Sequence, residues 1–265
     1  MNHMVFGNYL PGHSLLHRLH PTGKIIGLVS LITWTLLANN WANYAVLTVV
    51  ILALVKMAQV PFGMLFSSLR PFVWLIAFTV LIQLGFGHGG TTYWHWGPLN
   101  VTSVGVTTAG LIFVRFLLII VVAMLLTVTT SPNAIAKGVE TFLTPLKKLG
   151  VPVAMIGIML SIALRFIPTL LSEMQTIMNA QRSRGVVFNG GSLWQRVKNV
   201  LSLIIPLLVS AFRHADNLAD ALGASGYDAS QPRSSYYQYQ WHLLDTLALV
   251  GVFLIGVLVV GLRGV

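Results

Sequence analysis

Cysteine is absent from the 265-residue chain, which removes disulfides, thiolate metal sites and cysteine nucleophiles together. Acidic residues are nearly absent too: only Glu140, Glu173, Asp216, Asp220, Asp228 and Asp245 occur, so the first 139 residues contain none. Charged residues make up 8% of the chain against 55% hydrophobic, and the mean hydropathy is +0.79. That composition excludes a soluble globular domain and marks an integral membrane protein. No Gly-x-x-x-x-Gly-Lys-Ser/Thr is present, and Gly23-Lys24 lacks both the first glycine and the following hydroxyl, so the chain has no phosphate cradle with which to hydrolyse ATP itself. The first four apolar runs carry no carboxylate, which disfavours an autonomous ion-coupled carrier or channel, the competing reading. An intramembrane enzyme would need paired carboxylates or a metal set that the sequence does not offer. No catalytic residue, metal site or cofactor is therefore assigned, and nothing calls for nucleic acid.

Five apolar runs are long enough, or nearly so, to cross a bilayer: Ile25 to Ala38, Tyr44 to Ala58, Phe72 to Phe86, Val104 to Thr129 and Leu243 to Leu262. The first follows His17, Arg18, His20 and Lys24 with no small-residue cleavage site and reads as a span rather than a signal peptide. Residues 39–43 and the Gly-rich connection 88–103, with Trp94 and Trp96, carry no Lys or Arg. The alternate connections hold Arg18 and Lys24, then Lys56 and Arg70. Ten of the sixteen basic residues fall between 130 and 241. The bias places the N-terminus and this middle segment in the cytoplasm, and five spans put the C-terminus outside.

The middle segment is too basic for a lipid-facing helix and too apolar for a solvated loop. Thr130-Ser131-Pro132 starts a helix expected to reach about Leu149. Gly150-Val151-Pro152 starts a second, ending at Gly185, and a third runs from about Ser192 to Ser225 before Gly226. Each of the last two exceeds 30 residues, hence roughly 45–50 Å at 1.5 Å per residue, longer than a span. Both share an order of apolar stretch, internal proline (Pro168, Pro206), polar stretch and small-residue end, Ser183-Arg184-Gly185 and Ala224-Ser225-Gly226. Each proline removes a backbone donor and is expected to bend its helix. Met155, Met159, Met174 and Met178 suit an apolar surface whose neighbours change, or ordinary packing.

The histidines His13, His17 and His20 are spaced to share a helix face, but flanking prolines and the lack of a nearby carboxylate argue against metal. His88 and His95 are no stronger. Arg115 and Arg165, within apolar helices, require partners, for which helix-end carbonyls, Glu140 or Glu173 are the candidates.

Several patterns occur in one order: Tyr9-x-Pro11-Gly12-x-Ser14-x-Leu16-His17-Arg18-Leu19-x-Pro21-x-x-Lys24; Ser131-Pro132 with Pro145-Leu146-Lys147-Lys148-Leu149-Gly150-x-Pro152; and Leu164-Arg165-Phe166-Ile167-Pro168 with Ala180-Gln181-x-x-Arg184-Gly185. In combination, over about residues 7–228, they resemble the T component of energy-coupling factor (ECF) transporters. The resemblance implies an all-α polytopic membrane protein of about five transmembrane helices plus a cytoplasmic-side coupling domain of long helices. The expected division is residues 1–130, 131–240 and 241–265. It further implies a multi-pass protein of the cell membrane that links two cytosolic ABC-type ATPases to a membrane-embedded substrate-binding S component for vitamin or micronutrient uptake. Two helix ends with a small-Arg-small motif would then seat in the ATPases. Ser183-Arg184-Gly185 matches the first. Ala224-Ser225-Gly226, followed by Tyr227, departs from the second, because Ser225 stands where the family has arginine and cannot make a charged pair; Arg213 and Arg233 are expected to help there. The bends at Pro168 and Pro206 would shape the coupling helices, and the four methionines would face the S component.

Overall fold

A computed structural model describes residues 10, 12, 14–86, 89–96, 99–188, 190, 192–228 and 241–262. Tyr9, Pro11, His13, His88 and Arg233, which entered the sequence reading, lie outside these. The described residues are overwhelmingly helical: α1 (Leu15–Arg18), α2 (Pro21–Leu37), α3 (Trp41–Ala58), α4 (Phe62–Leu69), α5 (Val73–Phe86), α6 (Ser103–Thr129), α7 (Pro132–Leu143), α8 (Val153–Ser183), α9 (Leu193–Ala224) and α10 (Leu243–Gly261). Short 3-10 turns at Arg70–Phe72 and Thr144–Leu149 join α4 to α5 and follow α7. They divide into two compact units, one within Met1–Phe142 and Tyr239–Val265, the other within Leu143–Gln238.

Six helical stretches are long and apolar enough to span a membrane by length and composition: Trp41–Ala58, Gly63–Phe86, Ser103–Thr129, Met155–Ser183, Leu193–Ala224 and Leu243–Gly261. Pro21–Leu37 is a shorter apolar helix. The expected five runs are all helical, and two of the six stretches are the long rods of the middle segment. The third run begins earlier than the sequence suggested, because helix resumes on both sides of Pro71 through a 3-10 turn. The connection 88–103, expected as a loop, contains an antiparallel pair of strands, β1 (Thr92–Trp96) and β2 (Leu99–Thr102).

In the first unit α6 packs against α2, α3, α4 and α5, and α10 lies on α2. Leu31, Leu47, Ile51, Val122, Leu125, Val128 and Val259 form the buried centre with Tyr44. Within lipid such packing is driven by close approach more than by water exclusion, so small residues mark the tightest contacts. Gly256 of α10 faces the Trp34 indole of α2, and a Cβ there would overlap the ring. Gly138 of α7 sits on the start of α2, where a Cβ would lie 2.8 Å from Ile25 Cδ1, and Thr22 Oγ1 donates to the Gly138 carbonyl at 3.3 Å. This seat keeps α7, expected with the coupling segment, almost wholly in the first unit. Helix α7 starts as the sequence suggested, with Ser131 Oγ accepting from the Ala134 N–H at 3.3 Å. It gives way to a 3-10 turn at Thr144, earlier than Leu149, because Pro145 has no N–H to continue the ladder.

In the second unit α8 begins after Gly150, whose φ of +84° suits glycine, and α9 begins at the N-cap Ser192. Both helices continue through their internal prolines.

Candidate functional site

The second unit is an antiparallel pair of long helices. Phe166 of α8 meets His214 of α9 with ring centroids 5.8 Å apart. Further along, Glu173 accepts from Ser210 Oγ and lies 3.3 Å from His214 Nε2. Gln181 Nε2 donates to the Ser202 carbonyl at 3.2 Å, and Asn199 Nδ2 to the Val187 carbonyl at 2.7 Å. As the number rises on α8 it falls on α9, so the two C-terminal ends point in opposite directions. At 1.5 Å per residue the ends lie on the order of 40 Å apart along the pair.

Both ends close in the same way. Arg184 is the C-cap of α8; Gly185 follows at φ +84°, its N–H donating to the Arg182 carbonyl at 2.9 Å, and the Val186 N–H reaches back to the Gln181 carbonyl at 3.0 Å. Ser225 is the C-cap of α9; Gly226 follows at φ +70°, its N–H donating to the Gly223 carbonyl at 3.0 Å, and the Tyr227 N–H reaches the Leu222 carbonyl at 3.0 Å. These are two Schellman motifs, and the glycine in each occupies the left-handed conformation that side-chain-bearing residues avoid. Ser183, Arg184, Gly185, Ala224, Ser225 and Gly226 are all exposed. The ends therefore match in backbone and differ in charge. Ser225 turns its hydroxyl back to the Leu222 carbonyl at 2.8 Å, whereas Arg184 presents a guanidinium fork suited to a carboxylate. A cavity of about 270 Å³ beside the first end is lined by Arg182, Val186, Val187 and Phe188.

Apolar side chains are open along both rods. Met155 and Met159 are 43% and 60% exposed, while Met174 and Met178 are half-buried. On α9, Trp194, Ile205 and Phe212 are exposed too.

The arginine of the long span has the helix-end partner that its burial demands. Arg115 Nη2 donates to the Ala38 carbonyl at 2.9 Å and Nε to Tyr44 Oη at 2.7 Å, which closes the C-terminus of α2. The two glutamates offered as alternatives are engaged elsewhere: Glu140 by Lys137 at 3.0 Å, and Glu173 across the helix pair. Arg165 is exposed.

The N-terminal pattern Ser14 to Lys24 is a structural knot. Ser14 Oγ and His17 Nδ1 are 2.6 Å apart, and His17 Nε2 is 3.0 Å from the Leu10 carbonyl, so both ring nitrogens are used within the chain. Buried Lys24 donates to the carbonyls of His17 and Thr129, each at 3.1 Å. It thereby satisfies the ends of α1 and α6. Asp245, 2% exposed, accepts from the N–H groups of His20 at 2.6 Å and His242 at 2.8 Å, binding the start of α10 to the start of α2. The sequence alone showed Asp245 only as one of six acidic residues. Its signal was a lone carboxylate opening an apolar run, which in lipid must be satisfied by the protein. The cross-helix contacts of Glu173 and Gln181 left no such signal.

Residues 12–237 match the CbiQ family, described as cobalt transport protein. The chain is 43% identical over 263 residues to the energy-coupling factor transporter transmembrane protein EcfT of Lacticaseibacillus paracasei, covering 99% of this chain and 100% of the relative. It is 41% identical over 255 residues to that of Limosilactobacillus fermentum, 96% of each chain, and 40% identical over 257 residues to that of Streptococcus equi, 97% of this chain and 96% of the relative. Near-complete coverage at this identity, together with the polytopic helical fold, shows that the chain belongs to the transmembrane T-component family of energy-coupling factor transporters.

Proposed function

We propose that the chain is the coupling scaffold of an ATP-driven uptake transporter in the cell membrane, joining two cytosolic ABC-type ATPases to a membrane-embedded S component. The observation that carries this reading is the pair of exposed Schellman ends at opposite extremes of one antiparallel helix pair. A helix resists compression along its axis, so displacement of one docked end is passed along the rod. Two separated ends suit two partners. Arg184 pairs with an ATPase carboxylate, and the cavity beside it receives an adjoining side chain. The Ser225 end, without a guanidinium, holds its ATPase through backbone shape and packing, with Arg213 and Arg233 near in sequence. The open apolar faces of α8 and α9, with Met155, Met159, Met174 and Met178, offer the S component a contact poor in directional bonds, which permits movement. The prolines Pro168 and Pro206 set the shape of the rods. The N-terminus and the helix pair lie on the cytoplasmic side, as the basic excess requires.

The test is purification of the tagged chain from its native membrane in mild detergent, with identification of the copurifying chains. Two ATPase subunits and a small membrane protein are expected. A chain that purifies alone and transports solute after reconstitution by itself would refute the proposal.

A further inference from the structure

Pro206 has no N–H, so the Ser202 carbonyl four residues earlier loses its donor within α9. A carbonyl freed in this way in an apolar setting needs another partner. Gln181 of α8 supplies it, with Nε2 3.2 Å from the Ser202 oxygen. The main chain of the same residue builds the turn that presents Arg184: the Gln181 carbonyl accepts from the N–H groups of Arg184 at 3.1 Å and Val186 at 3.0 Å. One residue thus holds the docking turn of α8 through its backbone and the proline of α9 through its side chain.

We infer that Gln181 is a positioning residue that latches the Arg184 end of α8 onto α9 at the carbonyl Pro206 leaves free. The inference rests on the proposed docking of Arg184 and gives the α9 proline a chemical purpose besides shape. Met174 and Met178, half-buried on α8 just before Gln181, adapt to changing neighbours and resist sliding weakly. Directional bonds fix register where packing does not. The Glu173 contacts to Ser210 and His214 lie farther along the pair and involve no main-chain group of α9. The Asn199 bond to Val187 ties the connecting turn to α9. Among these contacts, the Gln181 bond is the one whose acceptor is created by a proline. Motion of the Arg184 turn is therefore transmitted into α9 at Pro206, the position where that helix has lost a rung and deforms most easily.

A double-mutant cycle in the reconstituted full transporter tests the latch, reading solute uptake per ATP hydrolysed. Gln181→Ala and Gln181→Glu should each lower that ratio about three- to ten-fold, the worth of one hydrogen bond, with ATPase subunits retained. Glutamate keeps the shape and loses the donor. Pro206→Ala restores an N–H that competes for the Ser202 oxygen, so Gln181→Ala added to Pro206→Ala should cost less than half of what it costs alone. Full additivity, or wild-type coupling in Gln181→Glu, would overturn the latch. A second measurement needs neither a proline variant nor the ATPases: spin labels at Val187 and Gly223 of the full chain in nanodiscs should give a broader distance distribution in Gln181→Glu than in the parent. An unchanged distribution sinks the latch even if Arg184 proves to dock as proposed, and a broadened one sustains it even if Arg184 does not.

Discussion

Single side chains in this protein divide by whether their partner lies inside the chain. Asp245 and Lys24 are buried and each is satisfied by one backbone group near in sequence and one on a distant element, so their removal strands several polar groups at once. Asp245→Ala should cost about 3–5 kcal/mol and Asp245→Asn less, because the amide oxygen still accepts one of the two N–H groups. Thermal unfolding in detergent reads the order, and equal melting of the two variants would show that the carboxylate caps nothing. Arg184 is exposed, and under the proposed function its partner is an ATPase carboxylate. Arg184→Ala should weaken ATPase binding by about 2–5 kcal/mol, since a carboxylate is left unpaired. Arg184→Lys should lose less, keeping charge without the fork. Ser225→Ala should lose on the order of 1 kcal/mol or below, because its hydroxyl already bonds within its own helix. Titration of the purified ATPase pair onto the chain decides this, and indistinguishable small losses from Arg184→Ala and Ser225→Ala would reduce Arg184 to a solvated helix-end charge.

Among the elements, α10 shows how a helix far along the chain becomes part of the first bundle. Asp245 ties its start to α2, Gly256 admits the Trp34 ring against its middle, and the Leu262 carbonyl accepts from Asn40 Nδ2 at 3.4 Å at its end. Gly256→Ala should push Trp34 out of place and destabilise the bundle by about 1–3 kcal/mol, the usual cost of overpacking. Gly251→Ala, where a Cβ meets nothing within 4 Å, is the control on the same helix. Comparable melting of the two variants would mean that α10 does not rely on this contact. The long rods follow another rule. Their start and stop signals, Gly150 to Pro152, Ser192, Gly185 and Gly226, act locally through caps and φ preference, which is why the sequence located α8 and α9 to within a residue or two. The early stop of α7 at Thr144 and the 3-10 turn at Pro71 are local proline effects that hydropathy alone smoothed over.

For the whole molecule, hydropathy and charge alternation lead to five runs with the connections at 39–43 and 88–103 on one side. The contacts of the first unit suit that count, since the starts of α2 and α10 meet through Asp245 and their far ends meet through Asn40. Parallel α2 and α10 are what an odd number of spans from first to last requires. Which face is cytoplasmic rests on the basic residues. Cysteines at Asn40 and Thr91 should therefore react with an impermeant maleimide from outside intact cells, and one at Val187 only after the membrane is opened. Reaction of Val187 from outside would reverse the assigned orientation. The sequence by itself determined the membrane class, the helical runs, the long rods, the lack of an ATP cradle and the ordered motifs of the family. Each of these depends on composition, a local cap or a run length, and such signals survive without three-dimensional context. Tertiary structure alone decided that Arg115 closes α2, that Lys24 and Asp245 knit three parts of the chain together, and that Gln181 meets the carbonyl opposite it. The cross-element bonds among these join residues 21 to 225 apart, and a donor cannot be matched to one acceptor among hundreds until packing has chosen which helices touch.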